Sequence, residues 1–278
     1  MLNINHIKRA VTHSGKFHTD DVMSTVFIRQ LNPNIQIVRK DEVDDSDMTY
    51  DVLCYDFGLG EFDHHQSDNG LDKYGNPYSS FGKLWECFGK QYLKDKGFKK
   101  INEAFNFIEK RYVTKINEGD NKGYKYVKFF FENDLIVKFN PNWYEINKDI
   151  NVVDESFFKA VDFAEMIFNN WIRNAFEEVE LAEYEAKVFN EALSNNKDGI
   201  IYLKERINWH QKVKSNDCTD VKFIITKNLR GKYAVISKDS EKYKVKENAY
   251  LSFTHNSGFM GVAETIENAY KAARLSLI

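Results

Sequence analysis

The sequence predicts an α/β fold in two parts, on three observations. Strand-like runs, polar loops and amphipathic helices alternate through the first part; helical periodicity then runs almost unbroken from about 154 to 194; short strand-like runs return after 199. These changes of texture place a mostly parallel sheet flanked by helices in residues 1–150, a helical connector in 151–197, and a smaller α+β domain in 198–278. With 278 residues, 42% of them hydrophobic and 29% charged, the chain has the composition of a globular protein, and only three prolines interrupt long elements.

Lys8 to Thr12 reads as the first strand and ends in the polar loop His13-Ser14-Gly15-Lys16-Phe17-His18-Thr19-Asp20-Asp21. A helix follows, with Val22, Met23, Val26, Phe27 and Leu31 at helical spacing and Pro33 beyond its end. In such units the carboxyl end of the strand and the start of the helix converge on the ligand crevice, which is where His13, His18 and Asp20 lie. Ile35 to Arg39 and Tyr50 to Tyr55 read as two further strands, and the acid-rich 41–47 stretch between them as a solvated loop.

Asp56 closes the third strand and opens a glycine-bearing loop that carries Asp63-His64-His65-Gln66. Two helices follow a loop rich in Gly, Asn and Asp, with stripes at Phe81, Leu84, Trp85, Phe88, Tyr92 and at Ile101, Phe105, Ile108, Tyr112, Ile116. The second is expected to stop at Gly119 or Gly123, leaving Asp120 on a loop just past its end. From 154 to 194 a break or a pair of helices is expected, with Glu177, Glu178, Glu180, Glu183 and Glu185 on the solvated face.

In the last part, Ile200–Leu203, Val221–Thr226, Tyr233–Ser237 and Tyr250–Phe253 read as strands, with Leu229-Arg230-Gly231 as a turn. A final helix carries Val262, Ile266, Ala269, Tyr270, Ala273 and Leu277 on one face. Between the last strand and this helix, Thr254 to Gly261 is a loop of small residues suited to an anion, containing His255, Ser257 and Gly258.

Five of the seven histidines fall in these three loops, none on an apolar stripe. His13, His18, Asp20, Asp56, His64 and Asp120, with Asp63 and His65 beside them, mix imidazole and carboxylate, a donor set for Mn²⁺, Zn²⁺, Fe²⁺ or Co²⁺ rather than Ca²⁺. Six donors exceed one tetrahedral site but suit two ions sharing a carboxylate, the usual device for hydrolysing phosphate esters.

A net charge of -3 argues against a broad electrostatic grip on nucleic acid while leaving room for a local basic cleft. Cys54, Cys87 and Cys218 form no paired spacing, no apolar run nears the roughly 20 residues that span a bilayer, and Met1 to His6 has no signal-peptide core. The expectation is a cytoplasmic protein, not membrane-bound, with its oligomeric state left open.

Thr12-His13-Ser14-Gly15-Lys16-Phe17-His18-Thr19-Asp20-Asp21, Asp56-Phe57-Gly58 and Phe62-Asp63-His64-His65-Gln66 resemble the motifs of the Myg family of metal-dependent hydrolases, a branch related to the DHH phosphoesterases. Asn117 to Gly123, Phe139-Asn140-Pro141-Asn142-Trp143, Trp209 and His255-Asn256-Ser257-Gly258-Phe259 extend the resemblance over nearly the whole chain. Many relatives have Cys-Asp-Glu where this chain has Thr19-Asp20-Asp21.

The resemblance implies a DHH-like amino-terminal domain holding two divalent ions, Mn²⁺ first and Zn²⁺, Mg²⁺ or Co²⁺ as substitutes, with a smaller carboxyl-terminal domain that grips the substrate. It implies His13 and His18 on one ion, Asp20, His64 and Asp120 on the other, and Asp56 as bridge. Asp63 would orient an imidazole, His65 would touch the scissile phosphate, and His255, Ser257 and Gly258 would bind substrate. The activity implied is 3′ to 5′ exonucleolytic cleavage of RNA or short oligonucleotides. Two rivals stand beside it: a phosphoanhydride hydrolase of pyrophosphatase type using Lys204, Arg206, Arg230 and Lys232, and a non-catalytic module stapled by zinc.

Overall fold

Arg9–His13 forms β1, whose inner residues Ala10, Val11 and Thr12 are fully buried, as the central strand of a covered parallel sheet requires. The chain then makes α1 (Thr19–Leu31), β2 (Gln36–Lys40) and β3 (Val52–Cys54), with β2 and β3 both parallel to β1 and on opposite sides of it. The order β2-β1-β3 means that the chain leaves β1 in one direction and returns on the other. That reversal is a topological switch point, the place where open α/β sheets bind ligands beyond the carboxyl ends of their strands. His13 ends β1 there, and Asp56 lies two residues past β3.

The structure, a computed structural model, describes residues 4–66, 69–123, 127, 131–214 and 218–278. Two compact units are present, Met1–Glu180 and Leu181–Ile278.

In the first unit α2 (Ser80–Asp95), α3 (Ile101–Ile108), α4 (Thr114–Lys122), α5 (Phe131–Ile136), α6 (Trp143–Lys148) and α7 (Val152–Ala175) follow the sheet. The ring of Phe27 on α1, wholly buried, joins three helices: Phe81, Trp85 and Tyr92 of α2 and Phe168 of α7 lie 5.4–6.0 Å from it, centroid to centroid. Such aromatic clusters add to burial because edge-to-face contacts are themselves favourable.

Between α3 and α4 the helix takes one π turn at Glu109–Val113, a wider turn that shifts the register of everything after it. Tyr112 in that turn stacks on Trp171 of α7 at 4.5 Å, which fixes where the displaced residues go.

Three local expectations are corrected. Asp47, placed in a solvated acidic loop, is buried and receives Arg9 and Lys40, tying the loop to the sheet edge. Asp120 sits in the last turn of α4 rather than on a loop, because the helix runs to Lys122 and stops at Gly123 with φ +92°. Glu180 and Glu185 leave the solvated face. Glu180 accepts the backbone N–H groups of Lys99 and Lys100 at the start of α3, while Glu185 is buried against Lys212 and the Asn208 N–H.

The second unit begins with α8 (Ala182–Ser194) and forms one sheet in the order β4-β5-β6-β8-β7, from Ile200–Leu203, Phe223–Lys227, Tyr233–Ser237, Met260–Ala263 and Phe253–Thr254. Alternation along β4 sends Ile201 and Leu203 to one core with Phe189 and Ala192 of α8. Ile200 goes to the other, with Ala269 and Ala273 of α9 (Ile266–Leu275). The loop holding His255 is therefore a hairpin between β7 and β8, not a strand-to-helix turn. Val262 lies in β8, and α9 starts later, capped by Thr265.

Candidate metal centre

Loop 56–66 is held in a tight course by its own polar groups. Asp56 has φ +52°, a left-handed conformation that Asp tolerates better than most residues, and its N–H donates to the Phe62 carbonyl. Asp63 accepts from the Leu59 and His65 N–H groups and from His65 Nδ1 at 2.7 Å, and Gln66 Nε2 donates to the carbonyls of Leu59 and Gly60. The Asp63 carboxylate is thus the group that turns the His65 ring.

The loop after β1 is pinned from outside. Asn140 accepts the Phe17 N–H and donates to the Phe17 carbonyl. The guanidinium of Arg39 donates to the Gly15 carbonyl and lies 4.2 Å over the Phe157 ring. Asn140 of the Phe-Asn-Pro-Asn-Trp stretch therefore fixes the segment between His13 and His18.

Asp56 stands at the centre of the assembly. Its Oδ2 is 3.4 Å from His13 Nε2 and its Oδ1 2.8 Å from His64 Nε2. His13 Nε2 is also 3.3 Å from Asp21 Oδ2, and His64 Nε2 3.1 Å from Asp120 Oδ2. Donors held about 2.0–2.2 Å from one ion stand roughly 3–3.4 Å from each other, and three of these four separations fall in that range, so the groups could hold a metal ion.

The hydrogen bonding of the cluster agrees. Among the described residues, Asp21 Oδ2, Asp56 Oδ1 and Asp120 Oδ2 are buried with no hydrogen-bond partner, although an imidazole nitrogen is within contact distance of each. Orphaned buried oxygens are costly unless something else meets them, and oxygens converging with imidazole nitrogens are what a divalent ion needs. The residues present fit such ions.

Of the residues expected at the site, His13, Asp20, Asp56, His64 and Asp120 come together. Asp20 forms one compact donor group with His64 and Asp120, its Oδ2 3.9 Å from His64 Nε2, and both its oxygens also accept backbone N–H groups, Ser80 and Phe81, at the start of α2. His18 stands apart: it is exposed, and its ring is 6.4 Å from that of His13. It lines a cavity of about 570 Å³ with Lys16, Phe57 and His65, over the donor cluster.

Asp21 is the residue that sequence reasoning missed. Its neighbour Asp20 faces His64 and Asp120, while the helix start turns Asp21 toward His13; the signal is two adjacent acids in the first turn of α1, about 100° apart around the axis.

Charges are strongly coupled to this packing. Burial opposes a charge on His13, but Asp21 and Asp56 outweigh it and raise the imidazole to about 10. Burial opposes the charge on His64 too, and Asp56, Asp20 and Asp120 raise it to about 9. Burial and neighbouring carboxylates push Asp20 and Asp120 up, Asp120 to about 6, and burial pushes Asp21 up. Asp56 goes the other way: burial would raise it, but His13 and His64 bring it down to about 2. The protein alone must protonate its imidazoles to keep these carboxylates together, and cations would serve the same end.

In the second unit His255 Nδ1 and Ser257 Oγ are 2.9 Å apart in the β7–β8 turn, and both residues are exposed. Gly258 has φ +71°, and a Cβ there would meet Lys244 at 2.9 Å, so the turn requires glycine for its own shape.

Known proteins are similar to this chain along most of its length. The family model MYG1_exonuc, described as an uncharacterised protein family (UPF0160), matches residues 9–251. The chain belongs to the MYG1 family. A MYG1 protein of Saccharomyces cerevisiae is 24% identical over 330 aligned residues, covering 99% of this chain and 97% of the relative. One of Schizosaccharomyces pombe is 25% identical with 99% and 98% covered. A bovine relative named MYG1 exonuclease is 22% identical, with 97% of this chain and 84% of the relative covered. Among the described residues no helix is long and apolar enough to cross a membrane.

Proposed function

We propose that this protein is a divalent-metal-dependent phosphoesterase that removes nucleotides from the 3′ end of RNA or short oligonucleotides. The observation that carries the reading is the Asp56 carboxylate, shared between His13 and Asp21 on one side and His64 and Asp120 on the other. A shared carboxylate is how a pair of ions is held close enough to act on one phosphoryl group. Membership of a family with a member named as an exonuclease supports the same class, and the related DHH phosphoesterases are taken as the wider kin.

Two divalent ions bound at these donors, Mn²⁺ foremost, would acidify water and neutralise phosphoryl charge. His13, Asp20, Asp56, His64 and Asp120 would hold them, and Asp63 keeps His65 turned by its 2.7 Å contact. His65, about 59% exposed at its side chain, would donate to a phosphoryl oxygen. Lys16 at the cavity rim adds a positive charge for the nucleic-acid backbone.

In the second unit His255, Ser257 and Gly258 are assigned to substrate. A separate cleft of about 650 Å³, lined by Arg206, Arg230, Lys232 and Phe253, pairs cations with an aromatic face, the combination that single strands need. A pyrophosphatase-type reaction fits less well. Among the described residues lining the cavity over the donor cluster, Lys16 is the one Lys or Arg, whereas a compact polyanion calls for several. A zinc staple closes at four ligands, fewer than converge here.

The test is product sizing: 5′-labelled RNA and DNA oligonucleotides and, separately, pyrophosphate, each with Mn²⁺, Zn²⁺, Mg²⁺ or Co²⁺ after chelation. A ladder shortening from the 3′ end with nucleoside monophosphate released supports the reading. Phosphate release from pyrophosphate without oligonucleotide cleavage overturns it.

A further inference from the structure

We propose that Asp21, not His18, completes the metal site at the His13 end, so that this ion is held by one imidazole and two carboxylates. The inference rests on the metal reading above and goes further by naming the donor set. Asp21 Oδ2 and Asp56 Oδ2 lie 3.3 and 3.4 Å from His13 Nε2, and the three residues form one of three donor groups, among the described residues, compact enough for an ion. The other two groups are Asp56 with His64 and His65, and Asp20 with His64 and Asp120. His18 belongs to none of them.

The backbone aims Asp21 at His13. Its Oδ1 accepts the N–H groups of His18 at 2.9 Å and Val22 at 2.8 Å, at the amino end of α1. That pair of bonds fixes the carboxylate and leaves Oδ2 turned toward the imidazole. The residue is 0% exposed, and among the described residues Oδ2 has no hydrogen-bond partner. A buried carboxylate oxygen held this way requires a positive partner.

His18 serves Asp21 through its backbone N–H, while its exposed ring lines the cavity, where substrate rather than ion would meet it. One imidazole with two carboxylates is an oxygen-rich set, suited to Mn²⁺ or Mg²⁺ more than to softer ions.

The test is Mn²⁺ uptake by chelator-stripped protein, measured by equilibrium dialysis and elemental analysis, for wild type, Asp21→Asn and His18→Gln. Asp21→Asn keeps an oxygen for the two backbone N–H groups and replaces the ligating oxygen by an amide nitrogen that cannot ligate. It should bind one ion fewer than wild type, or bind it more weakly by over the roughly 10–100-fold that losing an outer-shell partner costs. His18→Gln should match wild type in uptake.

Wild-type uptake in Asp21→Asn, or loss of an ion in His18→Gln, would overturn the inference. Should Asp21→Asn fail to fold, His18→Gln decides: unchanged uptake upholds the assignment and a lost ion removes it. Wild-type protein that takes up no divalent ion at all would overturn the metal reading itself, a distinct result.

Discussion

The carboxylate of Asp56 touches an imidazole with each of its oxygens, His13 Nε2 at 3.4 Å from Oδ2 and His64 Nε2 at 2.8 Å from Oδ1. Two chain segments that the sheet alone brings together thus meet on one residue. Asp56→Asn keeps size and shape but cannot bridge two cations with equal charge. It should lower RNA cleavage by more than the roughly 10–100-fold typical of outer-shell partners, with an unchanged circular dichroism spectrum. Full Mn²⁺-stimulated cleavage by this variant would remove the bridge from the account.

Asp63→Asn tests the orientation of His65 separately from ion binding. The amide loses a carboxylate that accepts from two backbone N–H groups and the ring. The expected result is a fall in kcat of roughly 10–100-fold with Mn²⁺ uptake unchanged. A variant that loses an ion instead would make Asp63 part of the metal site.

Asn140→Ala removes the latch on Phe17 and leaves two backbone groups without their partner. Each unsatisfied buried group costs about 1–3 kcal/mol. Thermal unfolding should fall accordingly, and Mn²⁺ affinity with it, since His13 flanks the same loop. Unchanged affinity in a destabilised variant would confine Asn140 to stability.

The site also fixes how stability without metal depends on pH. His13 and His64 titrate in the folded chain at about 10 and 9 instead of 6.5, and Asp120 at about 6 instead of 3.8. Between those values the folded state holds more protons than the unfolded one, so stability must fall as pH rises. Asp120 acts from about pH 4 to 6, and the imidazoles from about 6.5 to 9 or 10. Asp56, held down near 2, adds stability above the usual carboxylate range that is lost only toward pH 2. Chelated protein should therefore melt progressively lower from pH 6.5 to 9, and saturating Mn²⁺ should flatten that slope. A melting temperature that rises over this range in chelator would contradict the charges assigned here.

Much of this was legible from residues. His13, Asp56 and His64 could be read because a strand end and a switch point dictate where side chains converge. Asp21 could not: seeing that it faces His13 while Asp20 faces His64 needs the rotation of α1 about its axis, which residue spacing alone does not give. Asp120 is expected past a stop at Gly119 or Gly123; the helix takes the second of these, running to Lys122 and ending at Gly123, and so keeps Asp120 in its last turn. β8 was hidden because Val262, Ile266, Ala269 and Ala273 happen to share a helical period, although Val262 pairs with Ala234 in the sheet.

The most direct measurement is anomalous diffraction from crystals of the wild-type protein soaked in Mn²⁺. Two peaks per chain are expected, roughly 3.5–4 Å apart, with the Asp56 carboxylate between them. A single peak, or peaks that leave Asp56 out of contact, would contradict it.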